Sequence, residues 1–330
     1  MASASNTKKL TIAPKGRVVL AYDLGGTKIE AGLVRDDGRV LAFERVPVRT
    51  DAGPSGLVRQ MGELARGLLS RPEGRKVKAV GLASAGPLLP AAGILLDPTN
   101  IFTGGRSWGK VPIARLLSQR LRMPVTLEND AAAAVLAEKW RGAARTVDNA
   151  VMLTLGTGLG VGVICDGNLV RSGRGMHPEG GHILLRYGDK SAACACGTLG
   201  CAEAFLAGHS FGRRAVQVHG VKAQGASEVA ELARRGDAAA LKAFDEYADL
   251  LAAAVQCFAV LYAPERVILG GSFAQASDLY LQKSLPIIER LLERRRIGVD
   301  LVPKMVVSHL SNHSGLLGGA FVALQHPSKR

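Results

Sequence analysis

One local pattern occurs twice in this chain and limits what the chain can fold into: an apolar strand that runs into a glycine-rich turn and then into a hairpin. The first copy covers residues 17–45 and the second covers residues 150–165. Apolar, β-branched runs predict strands at 17–23 and 150–155, and Asp-Gly pairs predict the hairpin turns that follow. The repetition predicts two similarly built lobes that face each other over one nucleotide.

The rest of the chain alternates strands with helices, which predicts an α/β architecture. At 330 residues the chain is long enough for two lobes with a cleft between them. We expect a flexible tail over residues 1–16, a smaller N-terminal lobe over 17–128 and a larger lobe over 129–314. A C-terminal helix at about 315–330 is expected to pack back on the smaller lobe.

Composition excludes several classes of function. The sequence contains no apolar run of the ~18 residues that a membrane helix needs, and its polar start does not resemble a signal peptide. Aromatic residues make up only 5%, so the formal charge of +14 favours nucleotide phosphates over nucleic acid as the partner. We expect a cytoplasmic protein whose five cysteines are reduced and available for a metal.

The two glycine turns are candidate phosphate-binding sites, because glycine lets backbone N–H groups approach an anion closely. Asp23 ends the first strand and could hold Mg²⁺ through water. The competing interpretation of each turn is an ordinary tight hairpin, and a third turn after residue 269 could equally be a plain strand-to-helix connection. The candidate residues are Asp23, Gly25, Gly26, Thr27, Lys28, Gly156, Thr157, Gly158, Gly270 and Gly271.

The triplet Glu128-Asn129-Asp130 lies between a short predicted strand and an alanine-rich predicted helix. Asp130 could be a general base that accepts a proton from an attacking substrate hydroxyl. Local sequence favours a simpler role, since Asn129 or Asp130 would cap the helix that follows. One carboxylate serves both roles poorly, and the sequence leaves the two alternatives open.

A cluster of sulfur and imidazole ligands is typical of structural zinc. Three cysteines, Cys194, Cys196 and Cys201, fall within eight residues, and His182 precedes them. Four protein ligands of this type complete a tetrahedral site. Gly197 and Gly200 would let the chain wrap around the ion.

Taken together these segments resemble the ROK family (repressors, open reading frames and sugar kinases) of the hexokinase/actin-like superfamily. The resemblance extends from about residue 18 to about residue 324. Its matching segments are DLGGTK, END, LGTGLG, PEGGH, CACGTLGCAE and ILGGS. It implies a two-lobed actin/hexokinase-like (ribonuclease H-like) fold and an ATP-dependent sugar kinase that uses Mg²⁺ with ATP and holds structural Zn²⁺.

The resemblance also implies individual roles. Asp130 corresponds to the catalytic base, and His182 would bind zinc through one ring nitrogen and sugar through the other. The sugar-binding residues that it implies are Gly86, Asn100, Asn129, Asp130, Glu179, His182 and Glu203.

The substrate that the resemblance implies first is glucose, phosphorylated at the 6-hydroxyl as a step of glycolysis. N-acetylglucosamine, N-acetylmannosamine, mannose and fructose are alternatives, polyphosphate is an alternative donor, and a non-catalytic sugar-sensing regulator is a further alternative. Departures from the family pattern at 84–87 and at Gly180 flank the expected sugar site. The resemblance further implies a homodimer or homotetramer that binds no nucleic acid and no membrane.

Overall fold

The computed structural model describes residues 15–49, 51–97, 107–293, 298–310 and 313–325. These residues form two compact units. Unit 1 holds the described residues of Met1–Arg145, Asn168–His177 and His313–Arg330, and unit 2 holds those of Thr146–Gly167 and Pro178–Asn312. The division therefore falls after Arg145, whereas the sequence placed it after Glu128.

A five-stranded sheet forms the centre of unit 1, with strands β1 (Val18–Leu24), β2 (Lys28–Arg35), β3 (Val40–Pro47), β4 (Val80–Ser84) and β8 (Val125–Asn129). Their order is β3-β2-β1-β4-β8. The first three strands are antiparallel, while β4 and β8 continue parallel to β1. Because β1 and β4 are buried almost throughout, both are mainly apolar rather than alternating, with the polar residues Asp23 and Ser84 near their carboxyl ends.

Four helices belong to unit 1: α1 (Gly53–Leu69), α2 (Ile113–Leu121), α3 (Asp130–Arg141) and α9 (Ser314–Gln325). A short sheet that sequence did not predict adds β5 (Leu88–Leu89), β6 (Ile94–Leu96) and β7 (Lys110–Val111). Small residues let the last helix approach closely: a Cβ on Gly318 would lie 2.0 Å from the carbonyl oxygen of Ala133, and one on Gly81 would lie 1.8 Å from that of Gly319. This contact of α9 with α3 explains why α3 belongs to unit 1.

Unit 2 repeats the plan of unit 1. Strands β9 (Ala150–Leu155) and β10 (Leu159–Cys165) form an antiparallel hairpin, and β12 (Arg266–Gly270) and β13 (Lys304–Val307) extend the sheet in parallel, in the order β10-β9-β12-β13. Strand β11 (Asn168–Leu169) opens the segment that belongs to unit 1. The repetition predicted from the two glycine turns is thus present in the two sheets.

Five helices complete the described part of unit 2: α4 (Ala202–Leu206), α5 (Gly208–Gln217), α6 (Ala226–Arg234), α7 (Ala238–Tyr262) and α8 (Ser277–Leu292). Aromatic rings of α5, α7 and α8 pack together, with Phe211 and Phe244 at 4.6 Å and Tyr247 and Tyr280 at 4.6 Å between centroids. Among the described residues, no helix combines the length and the apolar character needed to cross a bilayer.

Candidate functional site

The first glycine turn connects β1 to β2. Its narrow form is set by a hydrogen bond of 3.0 Å from the Gly25 N–H to the Lys28 carbonyl oxygen. Thr27 and Lys28 are exposed at the tip. Asp23 is the next-to-last residue of β1, and its carboxyl group lies beside the first turn of α9, where a Cβ on Gly315 would lie 2.2 Å from Asp23 Oδ2. The structure thus brings together the five residues that sequence proposed for this turn.

The Asp23 carboxyl group has an unusual acidity. Burial, followed by the negative charges of Asp130 and Glu30, raises its pKa from 3.8 to about 7, and Lys28 and Arg45 oppose this effect only in part. A carboxyl group with such surroundings gains from a cation beside it. The chemistry of Asp23 therefore fits the water-mediated Mg²⁺ contact expected from sequence.

The raised pKa predicts how stability depends on pH in the absence of Mg²⁺ and nucleotide. Because the folded-state pKa of Asp23 lies above its ordinary value, its stabilising contribution is complete below about pH 4 and is lost as the pH rises through about 7. Asp23→Asn should therefore gain unfolding free energy relative to the wild type between pH 5 and pH 8, by roughly 1–2 kcal/mol because solvent partly reaches the group. Urea unfolding of both proteins at the two pH values measures this, and a difference that does not change with pH would contradict it.

The side chains of Asn129 and Asp130 in the END triplet make different contacts at the start of α3. Asn129 has the extended backbone of an N-cap, and its Oδ1 accepts hydrogen bonds from the N–H groups of Ala131 at 2.9 Å and Ala132 at 3.0 Å. Asp130 is the first residue of α3, and its Oδ1 accepts from Asn129 Nδ2 at 2.9 Å and from the Ala131 N–H at 2.8 Å. The main cap is therefore Asn129, and the role of Asp130 as a general base stays a prediction.

Gly86 lies beside this triplet. A Cβ at Gly86 would stand 3.4 Å from His177 Cε1 and 3.8 Å from Asn129 Nδ2. Two of the predicted sugar-binding positions, Gly86 and Asn129, are thus neighbours in unit 1, together with a buried histidine that sequence did not single out. Asn100 lies outside the described residues.

The second glycine turn connects β9 to β10 in unit 2. The Gly156 N–H donates to the Gly158 carbonyl oxygen at 3.0 Å. A Cβ on Gly158 would lie 2.7 Å from Glu203 Oε2, and the same oxygen accepts from the Leu159 N–H at 3.1 Å. Close approach by Glu203 thus requires glycine at 158. The hydrogen bond between Leu159 and Glu203 joins the turn to a residue that the family resemblance assigns to sugar binding.

A cavity of about 560 Å³ opens beside this turn. Gly156 and Thr157 line one side, and the start of α5 lines another, where the Gly208 N–H donates to the Gly156 carbonyl oxygen at 2.8 Å. Residues Ser272 and Phe273, just after the Gly270-Gly271 turn, also line it. The left-handed φ of +82° at Gly271 is a conformation that favours glycine. Sequence reasoning missed the wall formed by residues 208–227, because no motif marks it.

The four candidate metal ligands converge in unit 2. One ligand atom from each of His182, Cys194, Cys196 and Cys201 lies within 4.8 Å of all the others. His182 Nδ1 is 3.5 Å from Cys194 Sγ, and Cys196 Sγ is 3.7 Å from Cys201 Sγ. Tetrahedral zinc with Zn–S bonds of about 2.3 Å and a Zn–N bond of about 2.0–2.1 Å places its ligands roughly 3.6–3.8 Å apart. The cluster fits a structural zinc ion.

The other ring nitrogen of His182 lies near Glu179, and Glu203 contacts a second candidate metal ligand. His182 Nε2 is 4.0 Å from Glu179 Oε2, while Glu203 Oε1 accepts a contact of 3.4 Å from Cys194 Sγ. The structure therefore gathers the predicted sugar-binding residues of unit 2 around the predicted metal ligands. The glycines expected to wrap the ion, Gly197 and Gly200, have left-handed φ values of +88° and +91°.

A partly buried ion network supports the loop that carries these ligands. Arg214 Nη1 on α5 donates to the Ser191 carbonyl oxygen at 3.1 Å and to Ser191 Oγ at 2.7 Å. Glu246 on α7 accepts from Arg186 at 2.6 Å, from His219 at 2.8 Å and from Arg214 at 3.0 Å. Burial acts to raise the pKa of Glu246, but the hydrogen bonds from His219, Arg186 and Arg214 lower it to about 2. The loop is thus fixed to two helices by charge-assisted contacts.

The two units contain sheets of the same plan, and in each unit the chain begins with a strand, a glycine turn and a hairpin. This arrangement defines a protein of the actin/hexokinase-like fold class. The chain belongs to the ROK family, whose sequence profile matches residues 19–326.

Comparison with known proteins gives the same assignment. The chain is 32% identical to a glucokinase of Thermotoga maritima, over 92% of this chain and 96% of that protein. Among solved structures, a ROK hexokinase from Thermus thermophilus has a TM-score of 0.79 and 33% identity, covering 93% of this chain and 97% of the other. A ROK family glucokinase from Streptomyces griseus in complex with glucose and AMPPNP has a TM-score of 0.77 and 31% identity, covering 94% and 100%.

Proposed function

We propose that this protein transfers the γ-phosphoryl group of ATP to the 6-hydroxyl of an aldohexose, with glucose as the preferred substrate. The observation that carries the proposal is the division of labour at the END triplet. Asn129 caps α3, so the Asp130 carboxylate is not needed as the main cap. Glucokinases among the relatives, one of them solved with glucose and an ATP analogue, support the same choice of substrates.

Asp130 acts as the general base in this proposal. The proton of the sugar hydroxyl would go to the Asp130 carboxylate, which the hydrogen bonds of Oδ1 with Asn129 Nδ2 and the Ala131 N–H hold in place. Phosphoryl transfer needs mainly positioning and charge neutralisation, to which a base adds orientation of the attacking hydroxyl. Asn129 and Gly86 would contact the sugar from unit 1, and Asn100 is retained as a further candidate from the family resemblance.

In unit 2 we assign sugar contacts to Glu179, His182 and Glu203. Zinc held by His182 Nδ1 and the three cysteines would fix the tautomer of the imidazole, so that Nε2 faces the sugar. The ion would be structural, since four protein ligands leave no open position. Free thiolates of this kind persist in a reducing compartment, so we assign the protein to the cytoplasm.

The two glycine turns would hold the donor. In unit 1, Gly25, Gly26, Thr27 and Lys28 offer N–H, hydroxyl and ammonium donors, and Asp23 would orient Mg²⁺. In unit 2, Gly156, Thr157 and Gly158 would contact the phosphates. The Gly270-Gly271 turn directly precedes Ser272 and Phe273, which line the cavity of about 560 Å³ that has room for the nucleoside. Mg²⁺ supplies neutralisation of the charge that develops on the transferred phosphoryl group. A role in glycolysis and a dimeric or tetrameric assembly remain predictions from the family resemblance.

A coupled assay across glucose, mannose, fructose, N-acetylglucosamine and N-acetylmannosamine, with ATP or polyphosphate, tests the proposal. We expect glucose with ATP to give the highest kcat/KM, with turnover on the order of 1–100 s⁻¹ as in other kinases. Preference for another hexose or for polyphosphate would change the substrate assignment. Absence of phosphorylation of every sugar with both donors would contradict a kinase function.

A further inference from the structure

We propose that Arg171 is a positioning residue for phosphoryl transfer, because its ion pair with the buried Glu128 holds the turn that carries Asn129 and Asp130. The inference rests on the proposed function of Asp130 as the base. Glu128 and Arg171 are 43 residues apart in sequence and meet within unit 1.

The ion pair is bidentate. Arg171 Nη1 donates to Glu128 Oε1 at 2.8 Å, and Nη2 donates to Glu128 Oε2 over a shorter contact. Glu128 is only 3% exposed, and the Arg171 side chain is 36% exposed. A two-point contact between a guanidinium and a carboxylate fixes the orientation of both groups, which a single ammonium contact does not.

Hydrogen bonds connect the oriented Glu128 carboxylate to the candidate base Asp130 by way of Asn129. Glu128 Oε1 also accepts the Asn129 N–H at 2.8 Å, so the carboxylate is shared between the guanidinium and the peptide before Asn129. Asn129 in turn donates from Nδ2 to Asp130 Oδ1 at 2.9 Å. A continuous series of hydrogen bonds therefore leads from Arg171 through Glu128 and Asn129 to Asp130.

Arg171 also anchors the segment on which it lies, residues Asn168–His177, here called the hook segment. The hook segment folds on itself: the Ser172 N–H donates to the Met176 carbonyl oxygen at 2.8 Å, and Ser172 Oγ donates to the His177 carbonyl oxygen at 3.2 Å. Its last residue, His177, is buried beside Gly86, and Glu179 follows two residues later. The ion pair thus holds two predicted sugar-contacting elements, the END triplet and the neighbourhood of Gly86, in one arrangement.

Stability alone does not account for a pair of this kind. The desolvation of a buried carboxylate offsets most of the attraction to its partner, and apolar residues of similar size are often as stabilising. Loss of Arg171 would leave the Glu128 charge uncompensated one residue from the Asn129 cap and two from the base. The expected consequence is a displaced base, and a displacement of about 1 Å can cost about a hundredfold in rate.

The test compares Arg171→Ala with the wild type in the glucose and ATP assay. We expect kcat to fall about tenfold to a hundredfold, with KM for ATP within about twofold and zinc content unchanged. Guanidinium ion added at millimolar concentration should restore part of kcat in Arg171→Ala and should leave the wild type unaffected. Arg171→Lys should fall between the two, since it keeps the charge and loses the second contact. Arg174→Ala, which removes an exposed arginine from the same hook segment, serves as the matched control and should retain wild-type kcat.

A double-mutant cycle separates positioning from general destabilisation. If the pair acts as one unit, Glu128→Gln combined with Arg171→Met should lower kcat no more than either single change. The inference is overturned if Arg171→Ala keeps kcat within about twofold of the wild type, or if kcat falls only together with thermal stability and guanidinium restores none of it. If Arg171→Ala does not fold, the Arg171→Lys protein and the double variant decide by the same criteria. Failure of the wild type to phosphorylate any hexose would instead contradict the proposed function.

Discussion

Replacing Asp130 by Asn is expected to lower the kcat for glucose phosphorylation by about 10³-fold, since a positioned general base contributes 10²–10⁴-fold in rate. The substitution removes the negative charge that accepts the proton and keeps the shape of the side chain. The amide oxygen can still accept from Asn129 Nδ2 and from the Ala131 N–H, the two contacts made by Asp130 Oδ1. Steady-state coupled assays measure the change in kcat. Calorimetric titration should show that the affinity for glucose is nearly unaltered.

The neighbouring residue supplies the contrast. Asn129→Ala removes the side chain that caps α3 and should cost about 1 kcal/mol of unfolding free energy, a loss that Asp130→Asn should not show. Thermal and urea unfolding of the two variants distinguishes the cap from the base. Near-wild-type turnover in Asp130→Asn would remove Asp130 from the role of base, whatever the stability of the protein.

Replacing Cys196 by Ser is expected to abolish zinc binding and to weaken glucose binding together. Removal of one thiolate leaves three ligands, and His182 then loses the ion that fixes its ring through Nδ1. Mutation of the groups that orient a metal-bound histidine commonly lowers metal affinity or activity by about 10–100-fold. We therefore expect glucose affinity to fall by about tenfold or more. Metal analysis of the purified protein and calorimetric titration with glucose measure the two effects.

Two controls make this result specific. Cys165→Ser changes a thiol on β10 outside the metal cluster and should keep about one zinc ion per chain and wild-type glucose affinity. Removal of the metal from the wild type by a chelator should reproduce the Cys196→Ser phenotype, and added Zn²⁺ should reverse it. If glucose affinity survives loss of the metal unchanged, the dual role assigned to His182 is wrong.

Local sequence was a good guide wherever the deciding contacts are local. The glycine turns, the strands that precede them at 17–23 and 150–155, and the three cysteines of the metal cluster were all predicted from short windows. The END triplet was only half resolved, because Asn129 and Asp130 are both good caps and only the observed side-chain contacts separate them. Sequence also missed the three short strands β5–β7, which have too few residues to show an alternating pattern.

The sequence by itself determined the family, the repeated strand–turn–hairpin plan and the residues that can carry the chemistry, because steric and hydrogen-bonding preferences act over a few neighbouring residues. Only the tertiary structure decided that α3 and the hook segment belong to unit 1, that residues 208–227 form the wall of a cavity, and that Arg171 meets Glu128. These features depend on surfaces far apart in the chain, such as glycines of α9 against β4 and α3, whose fit is a property of the packed molecule. No local pattern records which distant surface a residue will meet.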